Sequence, residues 1–396
     1  MSQTTITAGF MPLTDSVLLV VAHEKGFAAA EGIALRLVRE TSWANIRDRV
    51  GVGHFDVAPM LAPMPITANL GLAPLPERFI AAMTMGHGNN AITVSTALWA
   101  QMLQHGARAD LDPLTTGAAL AQVVKASPKR LRFAVVHQSS SHNYELRYWL
   151  AASGVVPDQD IEIVVIPPPL LPDALAAGSI DGYCVGEPWG GVAVAAGSGR
   201  IVTVKSLIWR ASTDKVLGMR ESWAQANPET LTALIRALHH AAVWCSEPAN
   251  LAEAAAIMAL PLYLDQPAEL VACGLTGNLA IGTAERQQVE QFYVPHAGGA
   301  NFAWKSHALW FYAQMVRWGH ARHDDKNVAI AADAFRPDLY RAALAPLGIP
   351  VPDDNYKIEG AIVRPTEIAT PNGPLLLQPD GFFDGVVFDW SKPIGS

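Results

Sequence analysis

Charge is sparse in this chain, and long apolar runs are missing. Of 396 residues only 16% are charged, while 50% are hydrophobic. No stretch reaches the ~20 consecutive apolar residues that a membrane-spanning helix needs. The longest candidate, Val17-Leu18-Leu19-Val20-Val21-Ala22, runs straight into His23-Glu24-Lys25, so no membrane span is expected. Positive charge is in deficit as well. A formal net charge of −8 argues against a general nucleic-acid surface. Cysteine is rare: Cys184, Cys245 and Cys273 are scattered, odd in number and without metal-type spacing. A disulfide framework and a cysteine-ligated metal both need more than that, and a reducing cytoplasm fits best. The first residues carry no basic region and no apolar leader segment. Thr5-Ile6-Thr7-Ala8-Gly9-Phe10 reads at once as a strand, so the fold is expected to begin almost at Met1. There is no internal repeat.

What the chain does have is alternation. Strand signals at Thr5–Phe10, Ile33–Val38, Asp56–Ala58 and Phe79–Thr84 are separated by helix signals near Ser16–Glu24, at Trp43 and over Met60–Leu70. Pro63 and Pro65 make the start of that last helix irregular. The pattern resumes with strands at Leu131–Val136, Ile161–Ile166, Asp181–Val185, Ile201–Leu207 and Asp214–Met219. Helices are expected near Gly117–Ala126, Asn143–Ala152 and Leu170–Ala177. Strands alternating with helices imply a mostly parallel sheet covered on both faces. Beyond that point the chain is mainly helical. Pro228–Ser246 aligns Leu231, Leu234, Ile235, Leu238 and Ala242 on one face, and Ser306–Gly319 and Asp338–Leu347 follow. From Ile358 the sequence is rich in Pro and Gly. It reads as an ordered tail wrapping the body, since Leu375-Leu376-Leu377 and Phe382-Phe383 need burial.

One stretch organises the functional reading: Thr41-Ser42-Trp43-Ala44-Asn45-Ile46-Arg47-Asp48. Ser42 is a plausible N-cap. Trp43 then stands in the first helical turn, where unpaired amides and the positive helix end converge. Its indole either packs into the core or presents an N–H to a small anion. Met85-Gly86-His87-Gly88-Asn89-Asn90 forms a glycine-rich loop beyond a strand end, where ligands of open α/β sheets sit. Ala91–Ser95 is extended and carries the chain toward a second lobe.

These blocks carry a resemblance. Gly9-Phe10-Met11-Pro12-Leu13-Thr14-Asp15, Ser42–Asp48, Met60–Pro65, Asn89–Ser95, Leu146–Ala152, Gly186-Glu187-Pro188-Trp189, Lys215–Met219, Ala308–Phe311 and Arg336–Arg341 resemble the nitrate/bicarbonate-binding protein family, over nearly the whole chain. The resemblance implies a two-lobed α/β fold of the periplasmic-binding-protein type (type II). Its mixed sheets are flanked by helices, with a hinge between lobes, a helical C-terminal region and an irregular tail. The expected division is 1–93 for the first part of lobe one, 94–207 for lobe two, and 208–396 for the return to lobe one with the tail.

Family positions map onto Trp43, Asn90, His142 and Lys215 as nitrate or nitrite ligands. Indole, amide, imidazole and ammonium are all donors, and the backbone amides of Gly86 and Gly88 would add two more. Ser95, Glu187 and Trp189 are expected to support them from behind. Asn90 departs from the glutamine of exported nitrate binders by one methylene. Lys215 discriminates most: bicarbonate relatives are expected to place a carboxylate there and recruit a metal. A lysine supplies the charge directly, so no metal and no cofactor is expected. Bicarbonate also carries a hydroxyl that needs an acceptor, which an all-donor cage lacks.

Because no leader is seen, the resemblance points to the cytoplasmic branch of the family, nitrate/nitrite sensors of the NasS type. Such sensors hold an ANTAR-domain antiterminator of the NasT type and release it on binding the anion. The alternative is the solute-binding protein of a nitrate ABC transporter. An enzyme of the thiamin-pyrimidine synthase-like fold is the rival from another class, but its cysteine-rich signature is missing. His320 and His323, at helical i, i+3 spacing, sit beside Asp324 and Asp325 and read as a solvated helix end.

Overall fold

The computed structural model describes residues 3–393. Its first strand, Thr4–Phe10, begins close to the expected position, and Met1 lies outside the described residues. Two five-stranded sheets define two lobes. The first has the order Ile33–Arg39, Thr4–Phe10, Val57–Leu61, Lys215–Arg220, Phe79–Thr84. The second runs Gly199–Val204, Asn90–Ser95, Gly182–Gly186, Leu131–Val135, Ile161–Val165.

Both sheets are mixed, not mostly parallel. Lys215–Arg220 enters between two strands of the first sheet and is antiparallel to both. In the second sheet Asn90–Ser95 is antiparallel to both neighbours, while Leu131–Val135 keeps parallel partners. The antiparallel members are the strands by which the chain changes lobes. A strand arriving from the other body has no crossover helix to set it parallel.

That topology moves the expected boundary at residues 93/94. Asn90 already pairs with Gly186 in the second sheet, so the outward crossing is the short segment after Thr84, and Asn90 belongs to lobe two. The return crossing runs from the short helix Lys205–Ile208, which replaces the end of the expected Ile201–Leu207 strand, to Lys215.

Local signals explain most of the elements. Pro63 stands at the first position of the helix Pro63–Asn69, where its missing N–H has no intrahelical duty. The residues before it extend the strand to Leu61. The helix Pro228–Ser246 buries all five residues of its predicted apolar face and packs on the helix Val17–Glu24. The tail is ordered but not wholly irregular, since Thr366–Thr370 and Gly373–Leu377 form a hairpin. Phe382 stacks on Trp209, with ring centroids 4.8 Å apart, and holds the tail against the return crossing.

Candidate functional site

Each expected side chain is delivered by a different device. Ser42 caps the helix Trp43–Gly51 by accepting the amide of Asn45 at 3.2 Å, which fixes the orientation of Trp43. Ser140 does the same for the helix Ser141–Ala152 through the amide of Asn143 at 3.0 Å, and His142 projects from its first turn. Asn90 opens the outward strand of lobe two, and Lys215 opens the return strand of lobe one. The crossings thus place one ligand candidate at the start of each hinge strand, with a helix start from each lobe facing them.

The structure brings these groups together. The ammonium of Lys215 lies 5.2 Å from the Trp43 ring centroid, within cation–π range. It donates to Asp15 Oδ2 at 2.9 Å and to the neighbouring Asp214 carboxylate. His142 Nε2 stands 3.8 Å from Asp214 Oδ2, and the hydroxyl of Ser141 donates to the other oxygen of Asp214. A Cβ on Gly186 would meet Asn90 Oδ1 and Asp15 Oδ2, each at 3.3 Å, so these two side chains close on one point at the end of that strand. Trp43, Asn90, His142, Asp15 and Lys215 are all at most 2% exposed.

The hydrogen-bond inventory separates this cluster from ordinary core. Trp43 Nε1, both amide atoms of Asn90, both ring nitrogens of His142 and Asp15 Oδ1 are buried with no partner among the described residues. Native interiors leave few such groups unmet, and each costs about 1–3 kcal/mol. Their convergence beside a lysine is the mark of a polar ligand site.

Protonation follows from burial and charge. Burial holds the His142 pKa down at about 3, against the opposing pull of Asp214, so near neutral pH the ring offers one N–H and one lone pair. Burial also acts to lower Lys215, but Asp15 and Asp214 outweigh it and keep the ammonium charged. For Asp214, burial is outweighed by Lys215, His142 and Lys205, which hold its carboxyl well below the usual range. Asp15 goes the other way: burial, aided by repulsion from Asp214, wins over Lys215 and raises it.

Not every expected residue reaches the site as supposed. The amide of Gly88 is committed to the Ser212 carbonyl at 3.2 Å, so it is not the spare donor expected. Gly86 and Gly88 hold φ of +97° and +85°. Added Cβ atoms would collide with the carbonyls of Val294 and Phe292, so their glycine character serves the close approach of that segment. Ser95 is at the far end of the strand from Asn90 and caps the next helix by accepting the amide of Leu98; it does not support the site. Trp189 does, at one remove. Its indole donates to the Pro12 carbonyl at 3.0 Å, joining lobe two to the loop that carries Asp15. Glu187 accepts the Gly191 amide in its own lobe and is raised by burial to about 7.

Sequence reading missed Asp15, Asp214 and Ser141. The cage is therefore not made of donors alone: two carboxylates flank the lysine. Asp15 lay in a block quoted for the resemblance and Asp214 beside Lys215, but nothing local joins residues 200 apart in the chain.

Two lobes meeting at a buried polar cluster, with the chain crossing between them twice, define the two-lobed periplasmic-binding-protein-like class. Within it, residues 1–259 match the NMT1-like family model, and the chain belongs to that family. It is 33% identical to the nitrate/nitrite binding protein NrtA of Synechococcus elongatus, over 98% of this chain and 84% of that protein. It is 35% identical to the nitrate import ATP-binding protein NrtC of Synechocystis, over 93% of this chain but only 53% of that protein. The chain thus spans about half the length of that relative. Among solved structures, the periplasmic nitrate-binding protein NrtA from Synechocystis superposes with a TM-score of 0.84 at 26% identity, covering 98% of this chain and 96% of that one.

Proposed function

We propose that this protein binds nitrate or nitrite between its lobes, as a solute-binding protein of the kind that serves nitrate ABC importers, without catalysing a reaction. The observation that carries the reading is a cluster of unpartnered polar groups around Lys215: Trp43 beside its ammonium, His142 beside Asp214, and Asn90 beside Asp15, the two carboxylates to which that ammonium donates. Nitrate is a planar monoanion with acceptor oxygens only, so buried N–H groups and one cation suit it. Residues from both lobes line the cleft, and a ligand touching both favours the closed form by its differential affinity.

The narrower expectation, a NasS-type sensor holding an ANTAR-domain antiterminator, gives way to this one. The relatives at hand are named for transport and binding, and nothing in them speaks for that partner. The bicarbonate argument also narrows. Asp15 and Asp214 supply acceptors that a donor-only cage would lack, so discrimination against bicarbonate rests on Lys215 standing where a metal-recruiting carboxylate is expected.

Isothermal titration of the purified chain with nitrate, nitrite, bicarbonate and sulfate tests the assignment. Nitrate or nitrite should bind most tightly and without added divalent metal. Preference for sulfate or bicarbonate would overturn it.

A further inference from the structure

A lysine that already serves two carboxylates is an unusual receptor for an anion. The ammonium has three protons, and Lys215 spends two of them on Asp15 and Asp214. Around it, Lys205 contacts Glu145 at 3.0 Å and lies 3.9 Å from Asp214. The buried ammonium groups, Lys205 and Lys215, are thus matched against three carboxyls, Asp15, Asp214 and Glu145. The other titratable groups near Asp15, Asp214 and Lys215 are His142, Cys184 and Tyr293; burial holds the thiol and the phenol protonated, and the imidazole adds no charge when neutral. A monoanion entering this cluster meets a region with no spare positive charge, in surroundings too dry to screen it.

The three carboxyls are not equally held. Asp214 receives Lys215 on one oxygen and the Ser141 hydroxyl on the other, with His142 and Lys205 nearby. Glu145 receives Ser212 at 2.6 Å and Lys205 on one oxygen, with the other unpartnered. Among the described residues no hydrogen bond or ion pair joins it to Lys215, Trp43, Asn90 or His142. Asp15 has Lys215 on Oδ2 alone, while its Oδ1 is buried and unpartnered. Asp15 also closes on the same point as Asn90. An anion that takes the remaining proton of Lys215 comes beside both Asp15 and Asp214, and of these two only Asp15 keeps an oxygen without a partner.

Resting on the nitrate reading above, we propose that Asp15 faces the bound anion and takes up a proton as the anion enters, so that the site binds anion and proton together. Protonation removes the one charge that opposes the ligand and turns an acceptor into an O–H donor toward a nitrate oxygen. Atoms balance simply: one proton leaves solvent for Oδ1, and no bond of the anion breaks. The direction in which burial shifts Asp15 agrees with this.

The test is calorimetric titration of the whole protein with nitrate at pH 6 to 9, in buffers of differing ionisation enthalpy. The expected result is uptake of close to one proton per nitrate and a Kd that weakens by up to about tenfold per pH unit over the upper part of that range. Asp15→Asn, which mimics the protonated side chain, should bind nitrate with little proton uptake and a nearly flat pH profile. Glu145→Gln should keep the uptake. Nitrate binding by the wild type with no buffer dependence overturns the inference and leaves the nitrate reading intact. Uptake that survives in Asp15→Asn, or vanishes only in Glu145→Gln, also overturns it by moving the proton elsewhere. No nitrate binding at any pH removes the reading and the inference together. Because the wild-type buffer series needs no variant, a failure of Asp15→Asn to fold does not rescue the idea.

Discussion

Two lysines in this molecule, Lys215 buried and Lys357 partly so, sit between paired buried carboxylates with a histidine beside them, and their surroundings differ. Lys357 donates to Glu359 and to Asp380, and His307 Nε2 stands 3.3 Å from Glu359. Lys215 donates to Asp15 and Asp214, with His142 3.8 Å from Asp214. In the Lys357 cluster all four carboxylate oxygens are satisfied: Ser306 takes the second oxygen of Glu359, and the Ile362 amide takes that of Asp380. In the Lys215 cluster an Asp15 oxygen is unmet, and an indole, an amide and an imidazole converge there without partners. Charge composition alone would not tell the two apart. His307, like His142, keeps both ring nitrogens unpartnered, so what separates the two clusters is that the carboxylate oxygens close around Lys357 and stay open at Asp15, beside the unmet amide of Asn90.

The largest test of that contrast lies at Lys357. Lys357→Gln leaves Glu359 and Asp380 without their cation and should cost about 3–5 kcal/mol of stability, read from urea unfolding, while nitrate Kd stays within about twofold. Loss of nitrate affinity in this variant would mean that the two clusters are not separate. Titration sharpens the comparison further. Against burial, His307 and Lys357 hold Glu359 down at about 2. Its contribution is present above the ordinary carboxyl range and is lost as pH falls toward 2. Burial lifts Glu145 to about 7 despite Lys205. Its contribution is complete at low pH and is lost as pH rises through 7. Each amounts to at most about 3 kcal/mol. Unfolding followed from pH 3 to 9 should therefore weaken at both ends. Glu359→Gln should weaken the acid limb, which Asp214 shares, and Glu145→Gln the alkaline one, which Glu187 shares; a swap of those limbs would contradict the assignments.

At the site itself, Lys215→Gln removes the cation that the ligand shares with Asp15 and Asp214. A charge-assisted hydrogen bond in a dry cleft is worth enough for nitrate affinity to fall by about 100-fold. Circular dichroism should show the fold retained. Affinity within a few-fold of the wild type would take Lys215 out of the site.

How much of this was readable beforehand depends on range. Local patterns carried the strands, the caps at Ser42 and the five-residue face of the helix Pro228–Ser246, because each is settled by residues within a turn or two of one another. The hairpin of Asn278–Gly282 with Glu285–Gln288 escaped notice, since its strands are short and its outer face is polar. The lobe boundary slipped because Asn90-Ala91-Ile92-Thr93 reads as one extended run whichever sheet receives it. At the candidate site the resemblance named Trp43, Asn90, His142 and Lys215, which the structure places in one buried cluster. The carboxylates were not legible, because a lone Asp15 gains its meaning only from a lysine that the return crossing brings back to it. Gly88 misled for a related reason: the glycine-rich loop was legible, but the Ser212 carbonyl that takes its amide and the Phe292 carbonyl that crowds it are distant in sequence.

The smallest expected effect is also the one that most directly asks what an unpartnered donor is for. Trp43→Phe keeps an aromatic face toward Lys215 and deletes only the indole N–H with part of the ring. In the unliganded protein two terms oppose each other: the smaller ring leaves a void, while a buried donor without a partner disappears, each worth roughly 1–3 kcal/mol. Stability should therefore change by no more than about 2 kcal/mol in either direction. Binding has no such compensation, because the lost N–H is one that the anion would have filled. Nitrate Kd should weaken by about 10–20-fold, the lower end of what a single hydrogen bond to a charged ligand is worth. A variant that binds nitrate as tightly as the parent would return Trp43 to the core and leave its orphaned indole unexplained.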